Sequence, residues 1–299
     1  MPQIVKVIAL GTSGSTPTKE RQMPSFAFIY DGDVLLFDCG EGTQMQMLKY
    51  GINLSKVKAI FVSHAHGDHT IGIAGLVRSL AMTSRKEPLQ IFVPKGYERV
   101  IKSLLVFDRA ILNYPIIVTG VSTGTIYKTK SYTVRAFRLN HTIPDYGYVF
   151  QENPKRRFIE KKAKKSGIRN EMFSLLQKKG KIKVNGKTIT LNSVTLLQNG
   201  KKIVYATDTR PAKITEIESK GADLLIHESA YTENEKKLAI ERKHSTAKEA
   251  ALVARHAKVK MLLLTHISAR HRTDENILKE ARSIFKGTVV AKDGYTITV

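Results

Sequence analysis

Apolar residues, many of them β-branched, fall into short runs along the whole chain: 3–10 (QIVKVIAL), 26–30 (FAFIY), 34–38 (VLLFD), 58–63 (KAIFVS), 89–94 (LQIFVP), 132–139 (YTVRAFRL), 202–208 (KIVYATD), 223–229 (DLLIHES), 259–266 (VKMLLLTH) and 288–293 (TVVAKD). Runs this short, bounded by Gly, Asp and Asn, predict strands. The Asp-Gly step of YDGD (30–33) predicts a tight hairpin between the second run and the third. Helices are predicted over 41–50, 72–83, 213–220, 245–257 and 274–286. The pattern predicts a mixed α/β fold in which hairpin strands build two sheets and helices cover their outer faces. One helix marks its own start, because Thr246 followed by Glu249 reads as a capping box ahead of apolar residues spaced for one buried face. His244 then sits just before a helix N-terminus, where free N–H groups favour an anion such as phosphate.

A chain of 299 residues with 42% hydrophobic content can bury one large core, or at most two modest ones. No apolar run reaches the ~20 residues needed to span a bilayer, and no leader-like segment opens the chain. A soluble, cytoplasmic protein without membrane contact is therefore expected. The single cysteine, Cys39, excludes an internal disulfide and a cysteine-based zinc cluster, so a metal site would have to draw on nitrogen and oxygen ligands.

Charge changes the picture further. Lys and Arg total 49 against 26 acidic residues, a formal +23, which suits a polyanionic partner such as nucleic acid. Residues 151–187 hold thirteen Lys or Arg and three Glu, a net +10 and nearly half of the whole. A solvated helical arm would look the same, but an even distribution would not concentrate charge in this way. The segment reads as a basic insertion in a single domain spanning 1–299. Lys155, Arg156, Arg157, Lys161, Lys162, Lys164 and Lys165 are its candidate contacts to a nucleic-acid backbone.

The chemistry concentrates in FVSHAHGDHTIG (61–72), where three His and one Asp occupy six positions after an apolar run. Zinc and manganese sites draw on imidazole and carboxylate. In an extended chain His64 and His66 could point the same way, while Asp68 and His69, after a Gly-assisted turn, could face a second ion. Further ligands should close other strands at the same edge. His141, Asp208 and His266 each end a strand-like run. Singly, each reads as an ordinary capping or surface residue; as a set they point to a shared site.

The H-x-H-x-D-H pattern with this later His, Asp and His resembles the metallo-β-lactamase superfamily. Nearly the whole chain resembles one branch, tRNase Z (RNase Z), through GTSGSTPTKER (11–21), LLFDCGEGTQ (35–44), TDTRP (207–211), HES (227–229), HSTAKEAA (244–251) and LTHISAR (264–270), in the family's order. The resemblance implies a four-layer αββα sandwich with an inserted arm and a pair of zinc ions per subunit, with manganese as an alternative. His64, His66 and His141 would hold one ion, Asp68, His69 and His266 the other, and Asp208 would bridge. It also implies precursor tRNA as substrate and a homodimer in which one subunit's arm grips tRNA cut by the other. Two features depart from the family: Arg169–Met172 stand where the arm carries a Gly-Pro element, and His271 stands where Tyr is common.

The same resemblance implies that a metal-activated water attacks phosphorus, leaving a 3′-hydroxyl on the tRNA and a 5′-phosphate on the trailer. The leaving oxygen then needs a proton. His244, outside the ligand set, is the candidate general acid, with Glu228 as its orienting partner and Asp68 as a candidate proton acceptor for the water. Ser268 and Arg270 are candidates for holding a phosphate. Asp38 reads equally as a turn residue or as an acceptor fixing a ligand imidazole, and Glu41 carries the same ambiguity. Gly40 and Gly42 read as backbone residues. The alternative enzyme is another hydrolase of this fold, a glyoxalase-like thioesterase or a lactonase, which would share the ligands but has no use for the basic arm. An RNA-binding protein with a dead centre would be expected to lack one or two ligands, and all seven are present.

Overall fold

In the computed structural model, residues 4–106 and 112–299 are described, and the chain divides into two compact units, Met1–Gln151 with Lys201–Val299, and Glu152–Gly200. The strands of the larger unit are β1 (Lys6–Gly11), β2 (Ser25–Tyr30), β3 (Asp33–Phe37), β4 (Val57–Phe61), β5 (Leu89–Pro94), β6 (Ile116–Val121), β7 (Gly124–Lys128), β8 (Tyr132–Arg138) and β9 (Tyr146–Glu152). After the smaller unit, which supplies β10 to β13, come β14 (Lys202–Ala206), β15 (Leu224–Glu228), β16 (Leu262–Thr265), β17 (Thr288–Val290) and β18 (Thr296–Thr298). They form two seven-stranded sheets, in the orders β18-β1-β2-β3-β4-β5-β6 and β17-β16-β15-β14-β9-β8-β7. In the first, β3 to β6 run parallel; in the second, β14 to β17 do.

Alternation along the strands explains the layers. In β1, Val7 and Ala9 enter the core between the sheets, while Ile8 and Leu10 face the helices outside. Leu35 and Phe37 of β3 alternate with Val34 and Leu36 in the same way. Both faces are buried, so these strands read as unbroken apolar runs. The inter-sheet core is aromatic, with Phe61 stacked on Phe92 at 5.0 Å and Phe37 against Tyr148 and Tyr205. Each such ring contributes roughly 1.5–3 kcal/mol by leaving water. Helices α1 (Thr43–Lys49) and α3 (Gly72–Ala81) pack outside the first sheet, and α10 (Ala247–Ala257) and α11 (Glu275–Ile284) outside the second; α2 (Gly67–Thr70), α8 (Lys213–Ser219) and α9 (Lys236–Glu241) also belong to this unit. Helix, sheet, sheet and helix make four layers.

Every apolar run becomes a strand with ends shifted by a few residues; Gln3, the first residue of the 3–10 run, lies outside the described residues. The hairpin forms at YDGD, with Tyr30 opposite Asp33 and positive φ at Asp31 (54°) and Gly32 (83°), as a primed turn requires. Strands β6, β7 and β9 are additional to those expected, because Gly and Thr interrupt their apolar pattern. Helix α4 (Glu98–Val106) is also additional; it buries only Ile101 and Leu105.

The smaller unit contains β10 (Lys155–Phe158), α5 (Glu160–Lys165), α6 (Glu171–Lys179), β11 (Lys181–Val184), β12 (Lys187–Thr190), α7 (Leu191–Val194) and β13 (Thr195–Gln198). Its own core joins Ala163, Ile168, Leu176, Ile182, Val184 and Val194. It holds the basic segment apart from Gln151 and continues to Gly200, because β13 is the antiparallel partner of β10. Its two ends meet: a Cβ on Gly200 would lie 2.0 Å from the Glu152 carbonyl oxygen. Lys155, Arg156, Arg157, Lys161, Lys162, Lys164 and Lys165 are all exposed.

Candidate metal centre

The ligating candidates follow the C-terminal ends of strands. His64 lies just past β4, Asp208 past β14, His266 directly after β16, Asp38 directly after β3, and Glu228 closes β15. Parallel strands present these ends at one edge, and His141, after β8, joins them. The turns there are strained, with left-handed φ at Asp38 (58°), Asp208 (43°) and His266 (56°). Such backbone persists in L-residues only where the surroundings fix it. Gly14 makes room for one of them, since a Cβ there would come 2.7 Å from His266 Nδ1.

The ligand atoms of His64, His66 and His141 lie within 4.8 Å of one another, and so do those of Asp68, His69 and His266. Asp208 stands between the two groups. Its Oδ2 is 3.7 Å from His64 Nε2, while Oδ1 is 3.5 Å from His69 Nε2 and 3.1 Å from His266 Nε2. The seven residues named from the sequence are thus brought to one place. Two larger clefts, of about 550 and 910 Å³ beside Phe137 and Arg272, hold no group of three ligating side chains among the described residues.

Three of the imidazoles are held through Nδ1, and His64 Nε2 meets His66 Nδ1 at 2.9 Å. His69 Nδ1 meets Asp38 Oδ2 at 2.7 Å, His64 Nδ1 meets Ser63 Oγ at 3.0 Å and Asp145 Oδ2 at 3.5 Å, and His141 Nδ1 meets the Lys243 carbonyl at 3.3 Å. His69 Nε2, His141 Nε2 and both ring nitrogens of His266 are buried without a hydrogen-bond partner. Buried polar atoms are ordinarily satisfied, so a cluster of bare imidazole nitrogens around carboxylates has the donor set of a divalent metal site. The residues fit a divalent cation.

Electrostatics agree with this donor set. Burial disfavours the charged carboxylate of Asp208, but His266 and His69 outweigh it and hold the group well below the usual range. Burial likewise works against ionised Asp68, and His69 and His266 overcome it. Burial pushes His64 and His141 down, keeping them neutral as ligation requires. Burial also opposes a charge on His69, but Asp208, Asp38 and Asp68 raise it well above the ordinary value. An arriving cation must displace that proton.

His244 stands beside this cluster. Its ring lies 5.1 Å from that of His141 and stacks on His266 at 5.4 Å. Its ligand atoms also fall within reach of two ligating groups, Asp208 with His141 and Glu228 with His266. Nδ1 meets Glu228 Oε1 at 2.9 Å, leaving Nε2 toward the cleft. Burial pulls its pKa down, but the Glu228 charge and hydrogen bond outweigh that and push it up to about 9. Glu228, fully buried, is held below the usual carboxylate range because its contact with His244 exceeds its own desolvation. The capping box forms as expected, with Thr246 Oγ1 accepting from Glu249 N and Thr246 N donating to Glu249 Oε2.

Arg270 and Ser268 meet, through Nε to Oγ at 3.0 Å, but the guanidinium also pairs with Glu235 at 3.1 Å and lies over the Tyr231 ring at 4.9 Å. His271 Nε2 donates to the Ala230 carbonyl at 3.2 Å. Asp38 fixes His69 and in addition accepts from Ser63 N, Ser63 Oγ and Tyr205 Oη. Ser63, Asp145 and Tyr205 were not among the sequence candidates. Ser63 directly precedes His64, which is a usable signal; Asp145 and Tyr205 carry none. Glu41 is exposed, and Gly40 and Gly42 serve the backbone: a Cβ on Gly40 would sit 2.3 Å from the Asp68 carbonyl, and Gly42 has φ +79°.

The open cleft at the centre, about 330 Å³, is lined by Ser15, His66, Asp68, His141, Asp208 and Arg242 among others. The family model described as Anti-Pycsar protein Apyc1 matches residues 5–289. A ribonuclease Z from Methanosarcina mazei is 38% identical over 97% of this chain and 96% of its own. The crystal structure of human tRNase Z, short form, superposes with a TM-score of 0.71 at 24% identity, covering 98% of each chain. The metallo-β-lactamase-fold protein YhfI from Bacillus subtilis gives 0.74 at 20% identity, covering 99% of this chain and 100% of its own.

Proposed function

The chain belongs to the ribonuclease Z family, and to the family described by the Apyc1 model, and from that premise we propose that it is a metal-dependent endoribonuclease that removes the 3′ trailer from precursor tRNA. One observation carries the reading: of two sets of three ligating groups, one brings His64 to one oxygen of Asp208 and the other brings His69 and His266 to its second oxygen. Two zinc ions per subunit, or manganese, would be held by His64, His66 and His141 on one side and Asp68, His69 and His266 on the other. Bound divalent ions at such a centre supply a lowered pKa for water and positive charge against a phosphoryl oxygen.

The chain's own residues do the rest. Asp68, with its Oδ2 also accepting from Ser15 N at 3.2 Å, is placed to take a proton from the attacking water. His244 presents Nε2 to the cleft and, protonated at neutral pH, gives its proton to the departing O3′. Glu228 holds Nδ1 and thereby sets the ring's orientation and charge. The Nη2 of Arg270 carries no hydrogen bond among the described residues and is available to a phosphate oxygen. The exposed cations of the Glu152–Gly200 unit support electrostatic binding of a tRNA backbone. A homodimer, each arm serving the partner's centre, is part of the same proposal.

Precursor tRNA and a small thioester are to be offered to the metal-loaded protein, with and without prior chelation. Chelator-sensitive RNA cleavage is expected. Efficient thioester turnover with intact RNA would overturn the reading in favour of a small-molecule hydrolase of this fold.

A further inference from the structure

Arg210 follows Asp208 by two residues, yet its guanidinium reaches the loop that carries His244. Nη1 donates to the His244 carbonyl and, at 2.8 Å, to Glu249 Oε2, while Nη2 donates to Glu249 Oε1. Glu249 Oε2 in turn accepts from Thr246 N, so one partly buried ion pair fixes both the start of α10 and the peptide plane before it. The two loops are sewn together once more by Ser245 Oγ donating to the Thr209 carbonyl, and Thr209 N donates at 2.6 Å to Glu228 Oε1, the oxygen that also meets His244 Nδ1. The Arg210 amide itself donates to the Asn140 carbonyl, next to His141.

We propose that Arg210 is a positioning residue that aims the His244 side chain at the leaving oxygen by tethering the His244 carbonyl to the Asp208 loop. The proposal rests on the reading of His244 as proton donor. Glu228 grips Nδ1 and fixes the ring's tautomer, and the His244 amide donates to the Ala239 carbonyl, so the peptide on its carbonyl side is the one left to Arg210. Lys243, with φ 55°, closes the helix Lys236–Glu241 through its amide on the Ile240 carbonyl, so that helix holds the chain up to the His244 amide and Arg210 holds it beyond. The planar fork of an arginine satisfies a carboxylate and a carbonyl at once, which a lysine ammonium on a flexible stem does not reproduce. A displacement of about 1 Å at a reacting group can cost on the order of 10²-fold in rate.

The test compares Arg210→Met, Arg210→Lys and His244→Ala on a precursor tRNA and on the same RNA carrying a bridging 3′ sulfur at the scissile linkage, whose thiolate leaves without a proton. Both Arg210 variants are expected to lose kcat on the oxygen substrate, on the order of 10²-fold for Met and less for Lys, with little loss on the sulfur substrate. Bound metal per chain should match the parent protein, and amide exchange over 243–249 should quicken. Equal losses on both substrates in the Arg210 variants, while His244→Ala discriminates between them, would overturn the positioning role. Equal losses in His244→Ala would instead overturn the proton-donor reading. Should Arg210→Met fail to fold, the lysine variant, which keeps the charge beside Glu249, decides the matter by the same ratio.

Discussion

Asp38 does two jobs with one side chain. It turns the chain after β3 in a left-handed conformation, and it accepts from four donors, among them His69 Nδ1. Removing its charge leaves the turn but weakens the hold on a ligand imidazole, so Asp38→Asn is expected to lower metal affinity about 10- to 100-fold in chelator competition, with the fold retained by circular dichroism. His64→Ala with His66→Ala should abolish cleavage while tRNA affinity, measured by filter binding, stays near the parent value; loss of binding together with folding would make that pair structural. The pH dependence has a definite sign. In its proposed role His244 acts in the protonated form, and its pKa is raised to about 9, so cleavage should hold through neutral pH and fall as pH rises through about 9. The stability that this pair contributes, in full below the ordinary histidine value, is lost over the same rise. In Glu228→Gln the basic limb should move down toward the ordinary value of about 6.5. A limb that stays in place would remove Glu228 from its role.

At the scale of elements, the strands and the candidate ligands that close them were legible because a strand buried on both faces is an unbroken apolar run, and the residue that breaks it stands out. His141, Asp208 and His266 were visible for that reason. Asp145 and Arg210 were not, since their partners His64 and Glu249 lie far away in sequence and only the strand register brings them together. The last part of the smaller unit, 188–200, escaped as well, because it carries no charged residue to extend the basic segment 151–187. Its own core and its meeting ends give a clean excision: replacing 153–199 with a short Gly-Ser link should remove most tRNA affinity and spare hydrolysis of a small phosphodiester. Full tRNA affinity after excision would defeat the arm's role. The capping box of α10 is worth about 1 kcal/mol, the loss expected for Thr246→Ala in urea unfolding.

For the whole molecule, a formal +23 meets a polyanion by releasing counterions. Affinity for tRNA should therefore fall steeply and linearly on logarithmic axes as salt rises, more steeply for the intact chain than for the excised one. Among the described residues no helix is long and apolar enough to cross a membrane. The central claim is that the centre built around Asp208 hydrolyses a phosphodiester of precursor tRNA by direct attack of water on phosphorus. Mapping the cut on a synthetic precursor, with zinc and with manganese after chelation, tests it most directly. A single metal-dependent break that leaves a 3′-hydroxyl on the tRNA body and a 5′-phosphate on the trailer is the expected result. Ends that carry a 2′,3′-cyclic phosphate, or an uncut precursor in the presence of fully loaded protein, would contradict it.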